Sequence, residues 1–367
     1  MRHTSFLSAL LLTLLATGVQ AQILIGQSAG FTGAVAAGVK ETTDGARLYI
    51  DTINVKGGVN GQKIELLSLD DKFDPKLAAE NARQLIEEKN VVAMFLTRGT
   101  PHTEAIIPLL DKHGVPLIGP STGAMSLHQP VHRNVFNVRA TYQREAEKAV
   151  LHLASSGMNK IAVVHVDDSF GLDGLAGAQK GLAGAKLSAV ALEKFDRAKP
   201  DFSKIVPVIV KSGAHAVVLI ASGGAAVDGI KALRAAGSAA QVVTLSNNAS
   251  GGFIKSLGDQ ARGVIVSQVF PQSISYALVK EANDLARSKN LTEVSPAMLE
   301  GYAAAKVLVE ALRRTGGKPS RDRLQAVLDG MTKFDLGGLE ISYSAKDHTG
   351  LDFSDLSIIS SDGRFRR

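Results

Sequence analysis

Apolar runs of strand length alternate with helical patterns along almost the whole chain, and this alternation restricts the possible folds more than any other feature. Strands that are apolar on both faces and are separated by helices form parallel sheets covered by helices on both sides. We therefore predict the α/β class. The predicted strands are ILIGQS (23–28), KIELLSLDD (63–71), VVAMFL (91–96), VPLIG (115–119), IAVVHVD (161–167), LSAVALEKF (187–195), AHAVVLIAS (214–222) and QVVTLS (241–246).

The alternation runs through the chain twice, which predicts two α/β units. Residues 134–143 join the units, and the chain crosses back near 265–273, because two long helical stretches follow at 276–289 and 296–313. β-like segments at 338–344 and 355–360 indicate a third crossing. The predicted lobes are therefore residues 22–141 with 270–345, and residues 142–269 with 346–367.

The first 21 residues have the pattern of a secretory signal peptide. Arg2 and His3 precede an apolar run from Phe6 to Leu15, and Val19-Gln20-Ala21 fits a small-x-small cleavage site. The run is shorter than the roughly 18–20 residues that a membrane span needs. We expect a mature protein that begins at Gln22 in the periplasm, without a lipid anchor because the chain has no cysteine.

The composition excludes several classes of function. The absence of cysteine rules out disulfides, thiolate metal sites and a cysteine nucleophile. The formal charge of +6 is scattered, with no Lys/Arg run before the terminal GRFRR, so we predict no nucleic-acid partner. A mildly basic, solvated surface accounts for the charge.

Two clusters of small hydroxyl residues follow neighbouring predicted strands. One is TRGTP at 97–101, and the other is PSTGA at 120–124. Proline suits the first turn of a helix, which predicts Thr100 as the N-cap. Ligands of open parallel sheets bind at the carboxyl ends of the strands, and free N–H groups at a helix start attract carboxylates. Helix capping alone is the alternative for either cluster; for the two together we favour ligand contact.

Motifs for catalysis, cofactors and metals are missing or weak. The chain has no nucleophile elbow, no zinc-protease motif and no phosphate-binding loop, so we predict no enzyme activity and no cofactor. His128 and His132 stand four apart, but Pro130 between them argues against a metal-binding helix. A periplasmic hydrolase that uses Ser28 or Ser121 with His102 remains a less favoured alternative.

Several segments resemble the branched-chain amino-acid-binding family of periplasmic solute-binding proteins, the leucine/isoleucine/valine-binding-like type I family of ABC importers. The similarity covers essentially the whole chain after residue 21. It implies two Rossmann-like lobes joined by a three-crossing hinge, a ligand cleft between the lobes, and delivery of the solute to an inner-membrane ABC permease. The similar segments are GARLYIDTINVKGGVNGQKIELLSLDDKFDPKLAAENARQLI, GPSTGA, VFNVRATY, IAVVHVDDSFGLDGLAGAQKGL and LEGYAAAKVLVEAL.

The resemblance also implies where the ligand binds. The hydroxyl that contacts the ligand carboxylate corresponds to Thr100, and the residues that hold the amino-acid head group correspond to Ser121 and Gly123, with Thr122 between them. A second-lobe aromatic residue corresponds to Phe170.

Three positions depart from the family pattern. A first-loop aromatic residue is replaced by Gly38, a second-lobe tyrosine by Ser222, and the acid that meets the ligand ammonium falls at Ser246-Asn247. Without that acid, a carboxylate or an amide solute suits Thr100, Ser121 and Asn247 better than an α-amino acid.

Arg98 precedes the first of these hydroxyl residues and has two interpretations. It either grips an acid with two hydrogen bonds or lies on the surface, and we favour the surface position.

The function predicted from these observations is a monomeric receptor for a small polar or carboxylate-bearing solute, either an amino acid or a related acid or amide. A ligand-sensing periplasmic protein that acts on a separate signalling partner is the alternative.

We expect Thr100→Val to weaken solute binding by about 1–3 kcal/mol, because the change removes a hydrogen bond to a charged group. Isothermal titration with the solute measures this loss. An unchanged affinity would remove Thr100 from the site.

Overall fold

Two mainly parallel β-sheets organise the computed structural model, which describes residues 22–291 and 293–366. The predicted signal peptide at residues 1–21 lies outside that range. The strands of the first sheet are β1 (Ile23–Ala29), β2 (Ile64–Asp70), β3 (Ala93–Phe95), β4 (Leu117–Ile118) and β5 (Val135–Phe136). Their order is β2-β1-β3-β4-β5, and all their pairings are parallel.

The second sheet has seven strands and combines the middle of the chain with its tail. Its members from the middle are β6 (Ile161–Val166), β7 (Ala191–Phe195), β8 (Ala216–Ile220), β9 (Gln241–Thr244) and β10 (Ile265–Gln268). A small separate ladder follows, made of β11 (Phe334–Asp335) and β12 (Glu340–Ile341). The tail supplies β13 (Asp355–Ile359) and β14 (Phe365–Arg366), and the order is β14-β13-β10-β9-β8-β6-β7.

Helices cover both sheets. They are α1 (Ala36–Val55), α2 (Pro75–Arg83), α3 (Thr100–His113), α4 (Tyr142–Ser155), α5 (Ser169–Gly184), α6 (Ile205–Lys211), α7 (Gly224–Ala235), α8 (Gly251–Leu257), α9 (Ala277–Ser288), α10 (Pro296–Arg314) and α11 (Arg321–Asp329). One core joins the first sheet to α1 and α9–α11, and another lies against α2 and α3. The second sheet has its own core with α4–α8.

The predicted α/β class and two-lobed arrangement are confirmed, with differences in detail. Each predicted strand is present, generally shortened at its ends, because hydrophobic runs continue into the loops. The helical stretches predicted at 276–289 and 296–313 are α9 and α10, and α2 continues as a π-turn over Gln84–Glu88. The tail strand β13 pairs antiparallel with β10, whereas the alternation of strands and helices predicted parallel sheets and did not predict how the tail pairs. The tail returns from the other lobe and joins the sheet at its edge, so it needs no crossover helix.

The start of α3 differs from the sequence prediction by one residue. Gly99 is the N-cap, with φ of 92°, and the helix begins at Thr100. A positive φ of this kind favours glycine, and a Cβ on Gly99 would lie 2.7 Å from Nδ1 of His102. The Thr100 hydroxyl lies 2.8 Å from that of Thr122 and makes no capping bond. The prediction of Thr100 as N-cap is therefore wrong.

Three connections link the two lobes. They follow β5, β10 and β12, and the predicted lobe boundaries at 141/142, 269/270 and 345/346 fall within them. The first and third connections run side by side, since the Asn137 N–H donates to the His348 carbonyl at 3.0 Å and the Leu351 N–H to the Val138 carbonyl at 3.2 Å. The exact boundaries stay a prediction.

A buried ion pair anchors the first connection. Arg139 lies on this connection, is 1% exposed, and donates to the carboxylate of Glu145 in the first turn of α4. Burial disfavours the charged guanidinium, but the Glu145 carboxylate raises the pKa of Arg139 overall, so it stays charged. The same carboxylate accepts from the Ser246 N–H at 2.9 Å and from the Ser267 hydroxyl. On the first-lobe side, Glu300 of α10 lies 3.9 Å from Arg139.

We expect Glu145→Gln to lower the free energy of unfolding by about 3–5 kcal/mol, because it leaves the Arg139 guanidinium buried without a counter-charge. Urea denaturation followed by circular dichroism measures the loss. Glu147→Gln, on the same helix but partly exposed, is the control and should change stability by no more than about 0.5 kcal/mol. Equal effects of the two variants would contradict the importance of the pair.

Two glycines let α1 and α10 pack with their backbones in contact. A Cβ on Gly45 would lie 1.9 Å from the Met298 carbonyl oxygen, and one on Gly301 would lie 1.8 Å from that of Thr42. Neither backbone oxygen can move without displacing its helix. Both helices contribute to the core of the first lobe, so their spacing determines how that lobe is packed.

We expect Gly45→Ala and Gly301→Ala each to cost about 3 kcal/mol or more of stability, at or above the upper end of ordinary overpacking. Thermal and urea unfolding measure the change. Gly184→Ala in α5 is the matched control, since its Cβ would meet only Leu151 Cδ2 at 3.4 Å; there the loss of backbone freedom in the unfolded chain should make alanine neutral or stabilising by up to about 1 kcal/mol. A neutral Gly45→Ala variant would refute the close packing.

Candidate functional site

A cavity of about 110 Å³ lies where the carboxyl ends of the two sheets face each other. The first lobe contributes the loop after β1, the start of α1, and Arg98 in the loop after β3. The second lobe contributes the loops after β8 and β9. The lining residues are Ala34, Val35, Ala37, Gly38, Arg98, Gly223, Gly224, Val227, Asn247, Asn248, Ser250, Gly252, Phe253 and Ser256. The cavity is thus built by both lobes at the edge where the topology predicts a ligand.

Arg98 connects the two lobes at this cavity. Its side chain is buried, with Nη1 donating to Ser121 Oγ at 2.9 Å and Nη2 donating to the backbone oxygen of Asn247 at 2.5 Å. Among the described residues that line the cavity, it is the only charged one. Our preference for a surface position is therefore wrong. Arg98 pairs with Ser121 in an isolated parallel bridge, which carries it from the end of β3 into the cleft rather than out to solvent.

Asn247 borders the cavity and has one buried atom without a hydrogen-bond partner. Its Nδ2 donates to the Ala221 carbonyl and to Ser222 Oγ, both at 3.0 Å. A carbonyl only accepts, so the amide nitrogen must face Ala221 and the amide oxygen must face away. That oxygen is buried and receives no donor. Because an unpaired buried acceptor is costly, a ligand donor would stabilise it.

Two helix starts lie at the cavity wall. The N-cap of α7 is Gly223, and that of α1 is Val35; neither is capped by its own side chain. The Gly223 N–H donates to Asn248 Oδ1 at 2.9 Å, and the Gly224 N–H crosses the cleft to the Ala34 carbonyl at 3.0 Å. A helix N-terminus carries partial positive charge, so both helix starts add to the positive potential of Arg98.

Four of the predicted site residues are not among those that line this cavity. Thr100 and Thr122 bond to each other and are almost completely buried. The Gly123 carbonyl accepts from the Tyr142 N–H at 2.7 Å, and Phe170 packs edge-on against the Tyr142 ring at 4.8 Å. Gly123 and Phe170 thus contact Tyr142 at the start of α4. The contact of all four residues with a ligand stays a prediction.

The other four predicted residues form one network. Ser121 bonds Arg98, Arg98 bonds the backbone of Asn247, and Asn247 bonds Ser222. Arg98 and Asn247 line the cavity directly, while Ser121 and Ser222 support them. The structure therefore brings together half of the residues that the sequence singled out.

Direct contacts between the lobes close the cleft around the cavity. Glu41 of α1 accepts from the N–H groups of Gly251 and Gly252 at 3.0 and 2.7 Å, and also from Ser295 Oγ at 2.6 Å. On the opposite flank, Glu104 accepts from the Ser169 hydroxyl at 2.7 Å. The carboxylates of Glu41 and Glu104 are thus already used in bonds between or within the lobes.

An aromatic stack adds a further contact between the lobes. The ring of Phe73 lies on the ring of His102, with centroids 4.2 Å apart, and the guanidinium of Arg197 lies 4.9 Å from the Phe73 centroid. Burial lowers the pKa of His102 to about 4, so the imidazole is neutral at ordinary pH. Its two ring nitrogens are buried without hydrogen-bond partners.

The hydrolase hypothesis does not agree with these positions. Ser28 donates to Asp71 at 2.9 Å, Ser121 accepts from Arg98, and neither bonds His102. A nucleophile needs its base within hydrogen-bond reach, and neither serine has the proposed base, His102, as a partner. The hydrolase hypothesis is therefore wrong for these residues.

Within the described residues, no cluster of three or more His, Asp or Glu side chains is suited to hold a metal ion. His132 bonds the Ser126 carbonyl at 2.8 Å, away from the buried ring of His128. No helix within residues 22–291 or 293–366 is both long and apolar enough to span a bilayer.

The sequence reasoning missed most of the backbone that lines the cavity. The loops after β8 and β9 each carry a Ser-Gly-Gly triplet, at 222–224 and 250–252, directly before a helix. A repeated triplet of this kind after neighbouring parallel strands signals close backbone approach. Ala34 to Gly38 have no such marker, and only their place after β1 points to the site.

Comparisons with known proteins agree with this arrangement. The pattern of the family described as "Periplasmic binding protein" matches residues 22–354. Leu/Ile/Val-binding protein homolog 3 of Brucella melitensis is 28% identical over 310 residues, which is 82% of this chain and 81% of that protein.

Solved structures show the same fold. A substrate-binding periplasmic protein from Ralstonia solanacearum has a TM-score of 0.85 at 29% identity, covering 94% of this chain and 99% of that one. A possible leucine/isoleucine/valine-binding protein from Rhodopirellula baltica has a TM-score of 0.88 at 25% identity, covering 96% and 98%. The chain is therefore a type I periplasmic binding protein of the branched-chain amino-acid-binding family, a family of solute-binding proteins rather than enzymes.

Proposed function

We propose that this protein is a periplasmic receptor that binds a small polar or carboxylate-bearing solute between its lobes and delivers it to an inner-membrane ABC permease. The observation that carries the proposal is the buried Arg98, which lies in a cavity built by both lobes and bonds to both of them. A guanidinium in such a place is suited to grip a carboxylate with two parallel hydrogen bonds. The two helix starts favour the same charge.

The solute would act by shifting the balance between open and closed lobes. A solute favours closure only through its greater affinity for the closed state. Moving the population from about 1% to about 99% closed takes about 5.5 kcal/mol, and a micromolar solute supplies about 8 kcal/mol in total. The contacts of Glu41 and Glu104 across the cleft lower the part that the solute must supply.

The partner proposed for the solute-loaded protein is an inner-membrane ABC permease. In the closed form, surfaces of both lobes hold a fixed position relative to each other. A membrane partner recognises this arrangement as the solute-loaded state. Pull-down of the solute-loaded mature chain from solubilised membranes tests this. Recovery of a permease supports transport, whereas recovery of a sensor protein alone would replace transport by signalling.

The direct test of solute binding is mass spectrometry of what co-purifies with the mature chain under native conditions, followed by thermal-shift screening. A solute that binds only the folded form raises the melting temperature as its concentration rises. The panel should hold small carboxylates, amino acids and amides. If no compound co-purifies or shifts the melting temperature, the receptor function fails.

We expect Arg98→Met to weaken binding of a carboxylate solute by roughly 10- to 100-fold, the value of one or two hydrogen bonds to a charged group. Arg98→Lys should recover only part of this loss, because lysine cannot form the paired bonds. Isothermal titration measures each affinity.

Arg262→Met is the matched control for the loss of one positive charge. Arg262 is exposed and precedes β10, at the sheet edge away from the cleft, so its loss should change affinity less than twofold at physiological salt. Equal weakening by Arg98→Met and Arg262→Met would show that only the overall charge matters and would remove Arg98 from the site.

A further inference from the structure

The chemistry of the cavity restricts the solute further than its family does, given the receptor function proposed above. We infer that the solute is a small carboxylate that carries a neutral hydrogen-bond donor, a hydroxyl or an amide, and no ammonium group. The inference rests on the charges that face the cavity, on one unpaired buried oxygen, and on the size of the cavity.

The charges around the cavity oppose a buried ammonium. Arg98 is the one charged side chain on the described wall, and the helix starts at Gly223 and Val35 add positive potential. An α-amino acid would place its ammonium near this positive field. A buried cation without a counter-charge is expensive.

Three acids at the lobe contacts and the first connection, Glu41, Glu104 and Glu145, are engaged elsewhere. Both oxygens of Glu41 accept from α8, and one of them also accepts from Ser295. Glu104 accepts from Ser126 and Ser169, and Glu145 pairs with Arg139. Releasing any of these acids to meet an ammonium would break contacts that hold the lobes together or anchor the first connection.

The unpaired amide oxygen of Asn247 calls for a donor rather than for a second charge. Its partner nitrogen is committed to Ala221 and Ser222, so the side chain cannot turn over without leaving the Ala221 carbonyl with fewer donors. A hydroxyl or an amide N–H on the solute would satisfy the oxygen without adding charge. A plain fatty acid would leave it unsatisfied.

The volume of the cavity limits the solute to a short chain. A dry protein cavity of about 150 Å³ holds benzene, which has six carbon atoms. The cavity here, at about 110 Å³, suits a solute of about five or six non-hydrogen atoms with the lobes in the positions observed. Short hydroxy acids fall in this range.

Four compounds with the same three-carbon skeleton separate the requirements. Lactate has the carboxylate and the hydroxyl, alanine replaces the hydroxyl by an ammonium, propionate removes the donor, and lactamide removes the charge. Isothermal titration of the mature chain should show lactate binding at least about 30-fold more tightly than alanine and about tenfold more tightly than propionate. Lactamide should bind more weakly than lactate.

A second pair, glycolate and glycine, repeats the comparison with five non-hydrogen atoms in each compound. The inference is overturned if the amino acid binds as well as or better than its hydroxy acid in either pair, or if neither hydroxy acid binds at millimolar concentration. If amino acids bind and hydroxy acids do not, the receptor function stands and only this inference falls. If thermal-shift screening finds no solute of any kind, both fall.

A negative charge introduced at Asn247 tests the exclusion of an ammonium group by changing the protein instead of the solute. Asn247→Asp places a carboxylate at the cavity wall, and the Ala221 carbonyl keeps its second donor, Asn248 Nδ2 at 2.9 Å. We expect the affinity ratio of alanine to lactate to rise about 100-fold. Asn159→Asp makes the same change at an exposed position before β6, away from the cleft, and should leave the ratio unchanged.

An equal change in both affinities on Asn247→Asp would overturn the charge argument. Circular dichroism and the melting temperature establish that the variant is folded. The comparison on the unmodified chain needs no variant, so it decides the inference even if Asn247→Asp does not fold.

Discussion

The buried pair of Arg139 and Glu145 is the interaction on which the rest of the structure depends. It joins the first connection between the lobes to α4, and through Ser246 and Ser267 to the ends of β9 and β10. A buried ion pair is weak evidence for net stability, because desolvation opposes it. The pair matters here because it fixes the loop after β9. That loop carries Asn247, whose backbone oxygen accepts from Arg98.

The two buried arginines, Arg139 and Arg98, have different roles. Arg139 is neutralised by a dedicated carboxylate and belongs to the scaffold. Arg98 has no carboxylate within salt-bridge distance among the described residues and bonds only to a hydroxyl and a carbonyl. A charge held in this way keeps much of its capacity to attract an anion. The contrast between the two explains how a chain with 35 acidic residues presents a positive cleft.

The fold could be predicted from the sequence to a greater extent than the site. Strands such as 161–166 and 216–220 are apolar on both faces, and that local pattern survives in the folded chain. The antiparallel attachment of β13 depends on a distant partner, β10, which no local pattern reveals. The burial of Arg98 likewise depends on Ser121 and Asn247. Much of the cavity wall is backbone from Ala34 to Gly38 and at Gly223 and Gly224, where side chains carry little signal.

The contact of Gly223 with Ala34 has a consequence for how selectivity can evolve. A Cβ at Gly223 would lie 2.0 Å from the Ala34 carbonyl oxygen, and φ there is 51°. Because no side chain lies between them, the backbone contact of Gly223 with Ala34 sets the closest approach of the two lobes. A side chain acquired at this position would hold the two lobes farther apart, and would thereby admit a larger solute while Arg98 and Asn247 stay unchanged.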